Sequence, residues 1–241
     1  MEEHKLIIVE LVNAFLRWTA GILGFPVKEG AKILPNHIVM AMLVTAVIIL
    51  FFKLTVKNLS VKEPGKMQNF LEMIYRFFQS LVDDMIGHEG RKFIPVLTTL
   101  GLFIAVSNLL GLLPEMESPT AKLNTTVGCA IFIFFYYHYQ GVKKHGPWGY
   151  IKTFMGPVWW LGWLFLPIEV VSHFSRPLSL SMRLFGNIFG EDLVIIIIAS
   201  LVPFIAPLPV MALAVFTSLL QAFIFVMLST IYLAGAMAEE H

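Results

Sequence analysis

Residues 169–192 read EVVSHFSRPLSLSMRLFGNIFGED, and they lie between an apolar run, Thr153–Ile168, and an uncharged run of 46 residues, Leu193–Ala238. At the centre stands Arg183. An arginine at mid-bilayer costs roughly 2.5–3.5 kcal/mol on insertion scales, so it marks a function and calls for a partner. Its neighbours at i±3 and i±4 are Ser179, Leu180, Gly186 and Asn187, none of them acidic. Glu169, Arg176 and Arg183 recur every seven residues, which returns a helical side chain to within ~20° of one line. Ser172, Ser179, Gly186, Asn187 and Gly190 fall on or beside that line. One reading of such a stripe is close helix packing through small residues; the other is a polar track.

Composition sets the class. Of 241 residues, 57% are hydrophobic and only 14% charged, whereas soluble domains carry about 25% charged residues. Too few charges remain to cover a water-facing surface, so the chain reads as an all-α polytopic membrane protein. The net charge of +1 and the lack of a basic run beyond Lys143–Lys144 give no footing for nucleic acid. One cysteine, Cys129, excludes an intrachain disulfide and makes a cysteine-based metal site unexpected. The acidic start, MEEHK, carries no signal-peptide pattern.

Hydropathy and length divide the chain into an N-terminal interfacial segment, 1–35, and one membrane domain, 36–241. In the first, Glu10, Asn13 and Arg17 interrupt an apolar pattern, as in an amphipathic surface helix. About five membrane-inserted helices follow, near 37–56, 93–114, 124–142, 157–202 and 209–238, with a surface helix near 66–87. The third ends in an apparent aromatic belt, Phe132 to Tyr139, and MGPVWWLGW (155–163) reads as interfacial. The last two are too long to stand upright. From Ile168 to Val202 only Pro177 interrupts the helical pattern, giving about 52 Å of helix against a hydrocarbon core of about 30 Å. A long hairpin lying obliquely in the membrane satisfies both lengths.

Lysine and arginine place the ends. Segments 53–92 and 143–152 carry seven and three of them, against four, one and none in 1–36, 115–122 and 203–209. Cytoplasmic placement of the richer set puts the N-terminus outside and the C-terminus inside.

Arg183 wants a carboxylate, and the spans before it contain none. The partner is therefore expected from another subunit docking on the flank of the oblique helix. Glu191 and Asp192, near the outer end of the same helix, are either helix-end anchors or proton exchangers at an aqueous inlet. On the last helix Thr217, Ser218 and Gln221 form a polar face, with Gln221 the residue expected to meet the Arg183 side of the hairpin.

Four motifs, SRPLSLSMRLFGNIFGEDL, LLQAFIFVMLSTIYL, PGKMQNFLEMI and NLLGLLPEMESPTAKLNTT, closely resemble subunit a of the F-type ATP synthase and span most of the chain from about residue 36. The resemblance implies that Arg183 is the essential arginine facing the proton-carrying carboxylate of a rotating c-ring, with Asn187 and Gln221 beside it. It places Glu169, Ser172 and Ser175 in the half-channel open to the cytoplasm, and Asp192 in the outer one. It implies c-ring and peripheral-stalk b subunits as partners, a bacterial inner membrane as location and no cofactor. One departure stands out: the usual partner of the Asp192 position on the final helix, often histidine or glutamate, is Ala214, so Glu191 substitutes or Asp192 works alone.

Two other readings compete. A stand-alone ion-coupled secondary transporter commonly shows internal repeats, and no matching halves are visible. An intramembrane enzyme has only Asp83–Asp84 and His88–Glu89 to draw on, without HExxH. No GxxxxGK[ST] loop is present either, which assigns ATP chemistry to other chains. Whether the coupling ion is H⁺ or Na⁺ is decided by the ring carboxylate, outside this sequence.

Overall fold

A computed structural model describes residues 7–22, 32–57, 59–60, 63–113, 116–153, 162–202 and 205–238. Among them are seven α-helices: α1 (Ile7–Ile22), α2 (Asn36–Val56), α3 (Lys66–Met85), α4 (Ile94–Gly111), α5 (Leu123–Thr153), α6 (Gly162–Leu201) and α7 (Pro207–Met237). Two 3₁₀ turns, His88–Phe93 and Pro119–Ala121, lead into α4 and α5. The described residues contain no strand. Most of the interfacial stretch 155–163, together with Pro26 and Pro203, lies outside the described residues.

Among the described residues, four segments are long and apolar enough to cross a membrane: Asn36–Val56, His88–Gly111, Trp163–Leu201 and Pro207–Met237. The remaining expected span, α5, has the length, but tyrosines, His138, Gln140 and glycines dilute its hydropathy. The helix α6 runs unbroken through Pro167 and Pro177 for 40 residues, about 60 Å at 1.5 Å per residue. A helix twice as long as the hydrocarbon core is thick cannot stand along the bilayer normal.

The core is built where α4, α5, α6 and α7 meet. Leu97 and Ile104 of α4, Tyr137 of α5, Leu180 and Leu184 of α6 and Phe225 of α7 are all 1% exposed or less. Spacings of four and seven carry these residues on one helical face, as burial of an apolar stripe requires. The amphipathic α3 lays Phe78 and Val82 against this bundle. Its end is tied down by Arg91, whose Nε and Nη2 donate to Asp83 at 2.9 and 2.8 Å. That contact holds the Asp83 carboxyl below its usual range. The helix α1 is fixed by Asn13, which is buried and accepts from the Ile33 and Leu34 amides at 2.9 Å each while donating to the Leu34 carbonyl.

Two features depart from the sequence expectation. Tyr137 is fully buried, not part of an interfacial belt, whereas Phe132, Phe135 and Tyr139 of the same helix do face outward. The helix α5 also continues past residue 142 and bends at Gly146, whose φ of +72° is open to glycine and strained for other residues. The bend folds Tyr150 back over Gly141, where a Cβ would collide with the tyrosine ring.

A polar cluster joins α4, α7 and the loop before α5. Asn108 Nδ2 donates to the Ser218 carbonyl at 3.1 Å, its Oδ1 accepts from Thr120, and Ser118 Oγ donates to the Ser107 carbonyl at 3.0 Å. All of these side chains are buried, so each lost partner leaves a desolvated group behind. Asn108→Leu keeps the branched shape of the side chain and removes both bonds; it is expected to lower the stability of the purified chain in detergent by about 1–3 kcal/mol, read as a lowered thermal unfolding midpoint.

Candidate functional site

Buried Leu180, Ser181, Leu184 and Ile188 turn one face of α6 into the bundle. The opposite face therefore points away from the chain, and it carries Ser175, Ser179, Arg183 and Gly186, all exposed. Arg183 Nη2 meets Ser179 Oγ at 3.4 Å, and among the described residues no carboxylate forms an ion pair with it. A Cβ built on Gly186 or Gly190 meets nothing within 4 Å. These glycines are thus not the contact points of helix packing inside this chain.

One turn beyond Arg183, Asn187 Nδ2 donates to Gln221 Oε1 at 2.7 Å, linking α6 to α7. Gln221 is only 2% exposed. Its Nε2 and the hydroxyl of Ser218, three residues earlier on α7, have no protein partner among the described residues. Buried polar atoms of this kind are the sites where ordered water resides. Through Ser218 the arrangement continues to Asn108 and on to Ser118 and Thr120 in the loop before α5. A discontinuous set of polar groups thus leads from that loop to the residue one turn from Arg183.

At the end of α6 toward α7's start, Thr217 Oγ1 donates to Glu191 Oε1 at 2.8 Å and also approaches the Ala214 carbonyl at 3.1 Å. Glu191 therefore reaches α7 within a turn of the position that Ala214 leaves without a polar group. Asp192 is half-buried and lies within electrostatic range of Glu191 and of Glu117, a loop residue that accepts from Asn36 at 3.4 Å.

The other end of α6 is different in character. Glu169 Oε1 lies 3.3 Å from His173 Nε2 and 3.8 Å from Arg176 Nη2. Arg176 stacks over the Tyr232 ring at 5.3 Å, and His173 Nδ1 meets the Tyr137 hydroxyl at 3.2 Å. Ser172 is half-buried, and Ser175 Oγ donates to the Ser172 carbonyl at 2.7 Å. The seven-residue line of Glu169, Arg176 and Arg183 is therefore split: its first two members turn partly inward toward α5 and α7, and the third turns out.

Glu169 precedes Arg183 by fourteen residues and Asp192 follows it by nine, which is about 21 Å and 14 Å along the axis. The acidic pairings of the two ends are thus separate, with Arg183 between them. In the sequence alone no role attaches to Asn108, Glu117, His138 or His173, and Tyr137 reads only as part of an aromatic belt. Only the i, i+4 spacing of Glu169 and His173 was readable in advance. Asp83 pairs with Arg91 and lies 3.9 Å from His88 Nδ1, and Glu89 pairs with Lys144; no group of three His, Cys, Asp or Glu among the described residues could hold a metal ion.

Comparison with known proteins places these observations. Residues 38–234 match the ATP synthase A chain family. ATP synthase subunit a of Desulfosudis oleivorans is 47% identical over 242 residues, covering all of both chains. The proteins of the same name from Geobacter sulfurreducens and Oleidesulfovibrio alaskensis are 47% and 50% identical over 178 residues, 74% of this chain and 77% and 76% of theirs. The apolar helices fit a multi-pass membrane subunit, and the chain belongs to the ATP synthase subunit a family.

Proposed function

We propose that this chain is the stationary partner of a rotating c-ring and couples proton movement to ATP synthesis through two half-channels that do not meet. The observation that carries the reading is Arg183, a permanent cation on an outward face of α6 that forms no ion pair with a carboxylate of the described residues. A guanidinium does not deprotonate at accessible pH, so it acts as a fixed charge. When the carboxyl of a ring subunit comes opposite, the adjacent positive charge favours its ionised form, and the proton departs. The same charge repels protons that would otherwise leak between the channels.

The polar groups on either side supply the channels. Ser118, Thr120, Asn108, Ser218, Gln221 and Asn187 support an outer path ending one turn from Arg183. Glu191 and Asp192 are its proton exchangers, with Glu191 serving the α7 side in place of the missing group at Ala214. Glu169, Ser172, Ser175 and Arg176 line the cytoplasmic path. Open space above Gly186 and Gly190 fits a surface past which another helix moves. The driving term is about 2.3 kcal/mol per proton per 100 mV, with the pH gradient in addition. The lysine and arginine distribution supports an outside N-terminus, a cytoplasmic C-terminus and, for a bacterial chain, the inner membrane. The b subunits of the peripheral stalk anchor it there.

Arg183→Ala, in the assembled complex, is expected to reduce ATP-driven proton pumping in inverted vesicles at least ~100-fold, because a neighbouring cation shifts a carboxyl's proton affinity by about 1–3 units. Normal pumping in that variant would remove the reading. Gly186→Phe should leave membrane insertion of the chain unchanged and slow pumping by about tenfold or more, since overpacking at a moving interface costs about 1–3 kcal/mol. Pumping at the unaltered rate would show that no partner passes over that face.

A further inference from the structure

Buried histidines between a carboxylate and a phenol are outside the set of residues assigned above, and His173 is one. Its side chain is 12% exposed, with Nε2 facing Glu169 Oε1 at 3.3 Å and Nδ1 facing the Tyr137 hydroxyl at 3.2 Å. Glu169 is more open, with 40% of its side chain exposed. A carboxyl at the mouth of a channel thus has an imidazole directly behind it.

We propose that His173 is a positioning residue for proton uptake, sharing one proton with Glu169 so that the pair, and not the lone carboxylate, is the proton-binding unit at the cytoplasmic mouth. The inference rests on the reading that Glu169 lines the cytoplasmic half-channel. The exchange is a simple one: a proton on a Glu169 oxygen passes to His173 Nε2 and back, with no bond between heavy atoms made or broken. Both nitrogens of the ring have partners suited to it. The Tyr137 hydroxyl donates to Nδ1 when that nitrogen is bare and accepts from it when it is protonated, so the same geometry holds both charge states.

The surroundings fix the pair in place. The groups facing His173 are Tyr137 and His138 from α5 and Glu169 and Arg176 from α6; behind them Tyr150 of α5 bonds His138, and Tyr232 of α7 lies under Arg176. His138 lies with its ring 5.0 Å from that of His173 and meets the Tyr150 hydroxyl at 2.8 Å. That bond exists only because the bend at Gly146 returns Tyr150 over Gly141. Arg176, shared between Glu169 and the Tyr232 ring, balances the carboxylate charge when the imidazole is neutral.

A pair of proton acceptors binds a proton at least as well as either member alone, so removing the imidazole leaves a weaker acceptor. In His173→Gln the amide nitrogen replaces Nε2 as a donor to Glu169 and cannot titrate. The test uses the complete ATP synthase in inverted vesicles, where the cytoplasmic mouth faces the medium. The initial rate of ATP-driven pumping is measured between about pH 6 and pH 9 and divided by the wild-type rate, which cancels the pH response of the catalytic sector. The expected ratio is near one at the acidic end and falls as pH rises. The alkaline limb moves down by about one pH unit, the size of coupling at which two neighbouring acceptors titrate as a pair. A ratio constant across the range, whether near one or uniformly low, overturns the inference, because a structural role lowers the rate without changing the profile.

Glu169→Gln should displace the same limb, and the double variant should displace it no further than Glu169→Gln alone; additive displacement also counts against the pair. His173→Asn repeats the test in a smaller side chain if the glutamine variant does not assemble with the ring, and failure of both to assemble would assign His173 a purely structural role. Arg183→Ala in the same vesicles separates the two levels. Survival of pumping there removes the coupling reading itself, whereas loss there with a flat His173 ratio removes only the shared-proton pair.

Discussion

A guanidinium held in a low-dielectric layer is the constraint around which this chain is arranged. Arg183 stays charged at every accessible pH, so burial cannot neutralise it as it would a lysine or a histidine. Nor does a carboxylate of the described residues pair with it: the nearest acidic positions of α6 on either side, Glu169 and Glu191, are about 21 Å and 12 Å away along the axis. Ser179 at 3.4 Å is a weak neutral acceptor. The fold responds by putting the arginine on an outward face, with the apolar Leu180, Leu184 and Ile188 carrying the packing on the other side. A residue that is unfavourable toward its own chain and available to another is what a transient ion pair with a passing carboxyl requires.

The length of α6 turns that single placement into a mechanism. Forty residues without a break keep Glu169, Arg183 and Asp192 on one rigid rod, so their separations are set by helix geometry and not by loops. Proline normally breaks such a rod. Here Pro167 and Pro177 are both carried inside it, and Pro177 sits between the inward-turned Arg176 and the outward-turned Ser179. The two ends of the rod then engage different neighbours: α5 and α7 tyrosines at one, the start of α7 and the loop before α5 at the other.

Much of this was legible in the residues, for reasons that separate it from what was not. Helix length and charge scarcity are one-dimensional properties, so the spans and the long hairpin could be read directly. The Arg183 anomaly was equally plain, because a lone charge in an apolar run needs no contact map. Tyr137 was misread as part of an interfacial belt because aromatic content alone does not say which face of a helix is buried. The His138–Tyr150 bond was invisible for a further reason: it depends on a single positive φ at Gly146, and glycine occurs at many positions where that freedom is not used. Asn108 illustrates the intermediate case. Its polarity inside a span was evident, but its partners, Thr120 and Ser218, are separated from it by 12 and 110 residues.

On the proposed reading, Glu191 takes at the α6–α7 seam the place that Ala214 leaves open on α7. Where two helices pack closely, a carboxyl on either one can present its oxygens at the shared seam. Ala214 is 1% exposed, so α7 brings its backbone close to α6 there, and Thr217 receives Glu191 from the opposite helix at 2.8 Å. The charge has moved from one helix to its neighbour while remaining in the same region of space. A hydroxyl donor on α7 is then needed to orient it, since a lone carboxylate at a partly dry seam loses more by desolvation than it recovers from a distant cation. On the proposed reading the seam needs an acid within reach of the polar groups around Gln221 and Ser218, and Glu191 held by Thr217 supplies it.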